Sequence, residues 1–204
     1  MSGQQPSESR ERVLLLAEAL FSERGYASVT LRDVAEAIGI RQASLYHHVP
    51  GGKEQLYVEV TERGLQRHQA GLEAALATAT GIRAQLRAAA RWLLSQPPMN
   101  LSRLLRSDLP AITREHADRL LATSYITLFA PIERALRAAE RTAEIKLHNP
   151  NLLAATFISL IEGIWDADYV GAVRHTSAEM ADELIDVLLD GLRPRDEHLQ
   201  AGSQ

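Results

Sequence analysis

Cysteine is absent from the 204 residues, which excludes a disulfide framework and any thiolate metal site. No run of about eighteen apolar residues occurs, so no membrane-spanning helix is expected. The opening stretch Met1–Glu11 is polar and lacks the apolar centre of a signal peptide, so a cytoplasmic location is expected. A basic excess is missing too. Lys and Arg total 22 against 26 Asp and Glu, a net charge of −4, so any contact with nucleic acid must rest on a local patch. Lysine itself is scarce, with Lys53 and Lys146 alone against twenty arginines. The common catalytic signatures are absent as well: no Walker loop, no Gly-x-Gly-x-x-Gly, no Gly-x-Ser-x-Gly elbow and no His-Glu-x-x-His. No catalytic residue, cofactor or metal is therefore expected. The adjacent His47 and His48 diverge on a helix, which is poor metal geometry.

What is present is mostly helix former: Ala, Leu, Arg and Glu, with 46% hydrophobic and 24% charged residues. No long period-two alternation appears, so the fold is expected to be all-α. The apolar spacing of Val13, Leu16, Ala17, Leu20 and Phe21 predicts a first helix over Ser9–Arg24, stopped by Gly25. Thr30 with Asp33 forms a capping box opening a second helix that ends at Gly39. A short third helix covers Gln42–Val49, and Pro50-Gly51-Gly52 breaks the chain. A fourth starts near Lys53 and runs towards Thr80, with Gly64 and Gly71 as weak points. Further helices are expected over Ile82–Ser95, Asn100–Ser107, Thr113–Thr142 with a kink at Pro131, Asn149–Arg174, and Thr176–Leu192.

The stretch Leu31–Val49 carries the functional signal. Val34, Ile38, Ile40 and Leu45 supply the shared core of two crossing helices, Ala35 allows close approach, and Gly39 suits the corner. This is a helix-turn-helix pattern. The outer face of its second helix offers Gln42, Ser44, Tyr46, His47 and, at its edge, His48, with no carboxylate among them. Arg41 and Lys53 are the only charges between Ala37 and Lys53, although Met1–Arg67 as a whole holds eight basic and nine acidic residues. The same spacing also fits a three-helix core with a merely polar surface.

The run Leu20-Phe21-Ser22-Glu23-Arg24-Gly25-Tyr26, then Val29–Ala35, Ala37–Ile40, Ser44–Val49 and Lys53-Glu54, resembles the N-terminal domain of TetR-family transcriptional regulators over roughly Arg12–Val60. The resemblance implies an all-α protein. It has an N-terminal three-helix helix-turn-helix DNA-binding domain (1–52) and a larger C-terminal helical domain (53–204) that binds a small effector and forms a homodimer. The function so implied is a bacterial regulator, more often a repressor, that leaves its double-stranded operator when the effector binds. It places Gln42, Ser44, Tyr46 and His47 in the major groove, with His48 beside them or packed on the first helix. Thr30, Arg32, Arg41 and Lys53 fall on the phosphate backbone. Arg41 stands where many members have a capping Ser, Ala43 where Gly or Pro is frequent, and Pro50-Gly51-Gly52 where a short polar link is usual.

In the C-terminal half the segment Leu152–Val173 is apolar on nearly every side, and the last helix has a wide apolar stripe. A four-helix interface with a twin subunit is expected, with Phe157, Ile161, Trp165, Met180, Leu184 and Leu188 in it. The opposite face of the last helix, Glu179, Asp182, Glu183, Asp186 and Asp190, is expected to be solvated. Candidates for an effector pocket are Trp92, Met99, Leu105, Tyr125, Phe129 and Trp165; the carboxylates Glu162 and Asp166 either join them to orient a polar or cationic ligand or meet arginines or the subunit interface.

Overall fold

A computed structural model describes residues 8–97, 99–170 and 175–191, and the side chains of 166–170 are not among what it describes. Among the described residues there are helices and no strand. Ten α-helices follow one another: α1 Glu8–Ser28, α2 Leu31–Ile38, α3 Gln42–His48, α4 Gly52–Ala77, α5 Ile82–Leu94, α6 Leu101–Arg103, α7 Arg114–Ser124, α8 Ala130–Arg141, α9 Pro150–Val170 and α10 Ser177–Asp190. Two π-helical turns interrupt the series, Leu104–Asp108 after α6 and Tyr125–Phe129 between α7 and α8.

The described residues fall into two compact units. One holds the chain through His68 and returns for 99–127; the other holds Gln69–Pro97 and everything described from Leu128 on. The first unit extends past residue 52, taking in α4 as far as His68 and the 99–127 return.

The first unit is built as its apolar spacing dictates. Val13, Leu14, Ala17 and Phe21 of α1, Val34, Ala35 and Ile38 of α2, Leu45 of α3, and Leu56, Tyr57 and Val60 of α4 are all buried. Gly25 interrupts the helix where the sequence places its stop, and α1 is two helical stretches joined across it. Its φ of 78° and ψ of 167° break the helix locally, and the chain resumes helical form to Ser28. The Thr30–Asp33 capping box forms, with the Thr30 amide donating to Asp33 Oδ2 at 2.7 Å. Gly39 takes the left-handed conformation, φ 80°, and its amide closes back on Ala35 O at 3.0 Å. Arg10 pairs with Glu59 at 2.8 Å, Arg63 with Glu11 at 2.9 Å and Arg67 with Glu18, a row of ion pairs between α1 and α4.

α4 is unbroken at Gly64 and Gly71, and a neighbour explains each glycine. A Cβ on Gly64 would stand 3.2 Å from Glu18 Oε1, and one on Gly71 would stand 1.9 Å from the Trp92 indole. The expected helix over Thr113–Thr142 is divided. The irregularity lies ahead of Pro131 and is a widened turn: Pro131 has no N–H to give the Thr127 carbonyl, and the backbone opens over Tyr125–Phe129.

In the second unit α5 packs on α10 and α8 on α9. The carboxylates of α10 correct an expectation. Asp182, Asp186 and Asp190 are not a free solvated face; they meet Arg91, Arg87 and Arg83 of α5. Arg91–Asp182 is 3.0 Å, Arg87–Asp186 is 2.8 Å and Arg83–Asp190 is 2.9 Å, and Arg83 also reaches Asp186. Spacing of four on both helices zips them together, each rung contributing on the order of 0.5 kcal/mol at such partial exposure.

Candidate nucleic-acid interface

α3 is seven residues long and buries Leu45 as its single apolar anchor. Too short to be stable by propensity, it is held by that side chain and by Val49, buried just past its end. Everything else turns outward. Arg41, Gln42, Ala43, Ser44, Tyr46 and His47 are exposed and His48 is half-buried. Tyr46 is half open to solvent, a large amphipathic ring. Arg41 occupies the N-cap with no side-chain cap bond, so the first amides of α3 and the Arg41 guanidinium are left to meet something outside the chain. No carboxylate lies on this face.

The two positions before α3 are more engaged. The Thr30 hydroxyl both donates to Asp33 Oδ2, at 2.6 Å, and receives the Asp33 amide, so it acts first as a cap. The Arg32 guanidinium is well exposed but shared with Glu36 at 2.8 Å. Lys53, in the first turn of α4, is half-buried with its ammonium 4.1 Å above the Tyr26 ring. Burial lowers its pKa from the ordinary lysine value, and the charges of Asp108 and Asp33 offset part of that shift.

Next to this face lies a cleft of about 520 Å³, lined by Gly51, Glu54, Gln55, Glu59, Glu62, Thr113, His116 and Arg119 among others. Glu54 Oε1 accepts from the Thr113 amide at 2.9 Å and its hydroxyl at 2.6 Å, and lies 2.6 Å from His116 Nδ1. Those bonds, the Thr113 hydroxyl foremost, hold the Glu54 carboxyl down to about 2. Glu54 therefore caps the start of α7 from α4.

The proposed pocket residues are divided between the two units. Met99, Leu105 and Tyr125 belong to the first unit, and Trp92, Phe129, Glu162 and Trp165 to the second. Leu105 and Tyr125, each in a π-helical turn, are exposed at 49% and 44%. Trp92 is half-buried on Gly71, with its Nε1 buried and unpaired. The side chain of Asp166 lies outside the described residues.

Two of the expected interface residues are also corrected. Phe157 and Ile161 are buried inside the chain at 1% and 4%, since they point to the side of α9 that packs within its own unit. Trp165, Met180, Leu184 and Leu188 are half-buried, and the open positions beside them are Leu152 and Val187. Residues with no sequence signal also emerge. Asp108 is a buried carboxylate in the π-helical turn, and His68 is buried in α4 with Nδ1 unpaired. Burial pushes His68 down to about 4, so it is neutral at pH 7.

With this geometry in place, the comparisons with known proteins are specific for the first unit. Residues 13–60 match the model of bacterial regulatory proteins of the tetR family. Over 56 residues the chain is 45% identical to the HTH-type transcriptional repressor KstR2 of Mycolicibacterium smegmatis, covering 28% of this chain and 27% of that one. Over 111 residues it is 30% identical to the repressor AcnR of Corynebacterium glutamicum, covering 52% of this chain and 56% of that one. Thus the chain spans from about a quarter to little more than half the length of these curated relatives. Among solved structures, AibR in complex with isovaleryl coenzyme A and operator DNA superposes with a TM-score of 0.72 at 22% identity, over 89% of this chain and 98% of that one. A tetR-family regulator from Rhodococcus RHA1 gives 0.74 at 17% identity, over 94% and 100%. Residues 13–60, within the first unit, are therefore similar to the helix-turn-helix domain of tetR-family regulators, and the solved structures show that the fold extends over the rest.

Proposed function

We propose that the protein is a transcriptional regulator acting in the cytoplasm, a repressor that binds a double-stranded operator as a homodimer and leaves it when a small effector binds. The observation that carries this reading is the outer face of α3. Gln42, Ser44, Tyr46 and His47 are exposed together, free of carboxylate, and flanked by the cations Arg41 and Lys53. Gln42 suits an adenine edge, the hydroxyls of Ser44 and Tyr46 suit phosphates, and the Tyr46 and His47 rings suit a thymine methyl. Thr30 and Arg32 give backbone contacts once Arg32 exchanges Glu36 for a phosphate.

A twin subunit fits the open side of the last two helices. Met180, Leu184, Val187 and Leu188 form an apolar stripe at helical spacing on α10, with Val187 exposed and the others half-buried, and Leu152 is exposed on α9. This face replaces one centred on Phe157 and Ile161. The relatives are named as regulators and repressors, and the AibR complex holds an acyl coenzyme A together with operator DNA, which supports an effector-responsive reading. The unpaired Trp92 Nε1 gives such an effector a buried donor to meet.

In vitro selection of duplexes bound by the full chain tests the whole reading. The expected product is an inverted repeat whose half-sites lie about one helical turn apart. Its affinity should fall steeply with salt. Recovery of no duplex, or binding indifferent to salt, overturns it.

A further inference from the structure

Asp108 sits where no DNA-binding residue is expected, 82 positions after Tyr26, in the π-helical turn Leu104–Asp108. It is buried and uses both oxygens. Oδ1 accepts the backbone amide of Tyr26 at 2.9 Å, and Oδ2 accepts the hydroxyl of Tyr57 at 3.2 Å. The two tyrosine rings pack at 5.0 Å, and Phe21 closes edge-on against Tyr57 at 5.2 Å. On this seat rests the Lys53 ammonium, over the Tyr26 ring.

The turn is pinned from a second side. Arg103 reaches back along α1 and donates to the carbonyls of Phe21 and Ser22, the first at 3.2 Å, and to that of Glu23 at 3.3 Å. These carbonyls lose their helical partners where Gly25 bends the chain. Gly25 also makes the room: a Cβ there would stand 3.0 Å from Arg103 Cδ and 3.2 Å from Asp108 Oδ1. The closeness of the turn to α1 and its use of both carboxylate oxygens mark a built joint.

We propose that Asp108 is a positioning residue for DNA binding: from the π-helical turn it fixes Tyr26 and Tyr57, and through the Tyr26 ring it holds Lys53 towards the phosphate backbone. This rests on the reading of the first unit as a DNA-binding domain and adds a residue from the C-terminal half to its machinery. A π turn carries one residue more than an α turn over the same rise, so its rewinding swings Asp108 off the Tyr26 amide. The turn therefore governs one phosphate contact without touching DNA.

A double-mutant cycle tests this by fluorescence anisotropy on a labelled duplex from the selection above. Lys53→Ala should weaken binding about tenfold and reduce the salt slope by about one. Asp108→Ala should weaken it about fivefold with the same loss of slope, yet change it less than about 1.5-fold in the Lys53→Ala background. Asp108→Asn, which keeps an acceptor for the Tyr26 amide, should recover most of the affinity. Tyr26→Leu carries the same cycle should circular dichroism show Asp108→Ala unfolded. Equal losses with and without Lys53, or an unchanged slope in Asp108→Ala, overturn the proposal while leaving the DNA-binding reading intact. Failure of the unmutated chain to bind any duplex removes both.

Discussion

α3 and α9 are both helices, yet opposite partners dictate their side chains. α9 is 21 residues long, and Ala154, Phe157, Ile158, Ile161 and Ile164 follow helical spacing because the interior of its own unit demands it. α3 gives the interior one residue, Leu45, and shows the rest to the outside. The composition of a helix with so little to bury is not dictated by its own interior. The contrast separates residues that hold the fold from residues that use it, and it shows why Phe157 and Ile161, read as an interface, belong to the first kind.

The sharpest way to break the contrast is Phe157→Ala. Removing a fully buried ring should cost about 3–5 kcal/mol, lowering the thermal midpoint and urea resistance together. A loss below 1 kcal/mol would mean that the site is not core. His68 extends the inside category to α4 with a pH signature. Its folded pKa of about 4 lies below the ordinary 6.5, so the unfolded chain takes up the proton first. Stability should therefore fall as pH drops from 6.5 towards 4, by roughly 3 kcal/mol at most, and His68→Leu should flatten that slope in urea titrations at stepped pH. A parallel decline in both proteins would place the titration elsewhere. The smallest energetic change is expected outside. Tyr46→Ala should reduce duplex affinity about tenfold, about 1.4 kcal/mol, while moving stability by less than about 0.5 kcal/mol. Loss of stability on the same scale as loss of binding would erase the distinction.

The first unit was the legible part of the sequence. The Thr30–Asp33 box, the Gly39 corner and the Leu45 anchor are local devices, each written in residues three to six apart, and the structure forms them all. Even Arg41 without a cap bond is readable, because an arginine side chain offers the helix amides no acceptor. Signals that depend on distant chain are the ones that escape. Asp108 resembles any carboxylate near a proline until the fold brings Tyr26 and Tyr57 to it. π-helical turns have no residue signature, so the sequence does not reveal that Leu105 and Tyr125 lie in them. Asp182, Asp186 and Asp190 form a stripe that suits solvent equally well. The clue was a matching stripe elsewhere, since Arg83, Arg87 and Arg91 repeat the interval of four on α5. Gly71 was read for its own flexibility, whereas its meaning is the space it leaves for Trp92.

The acid-free surface of α3 sits on a polypeptide whose overall charge is −4. On the DNA-binding reading proposed above, the net negative charge repels an approaching polyanion on average, and the acid-free face of α3 offers it a local exception. Misaligned encounters are then short-lived, and loose adsorption along random genomic sequence is suppressed relative to docking with the correct side forward. The shortage of positive charge, which at first argues against nucleic acid, thereby sharpens discrimination.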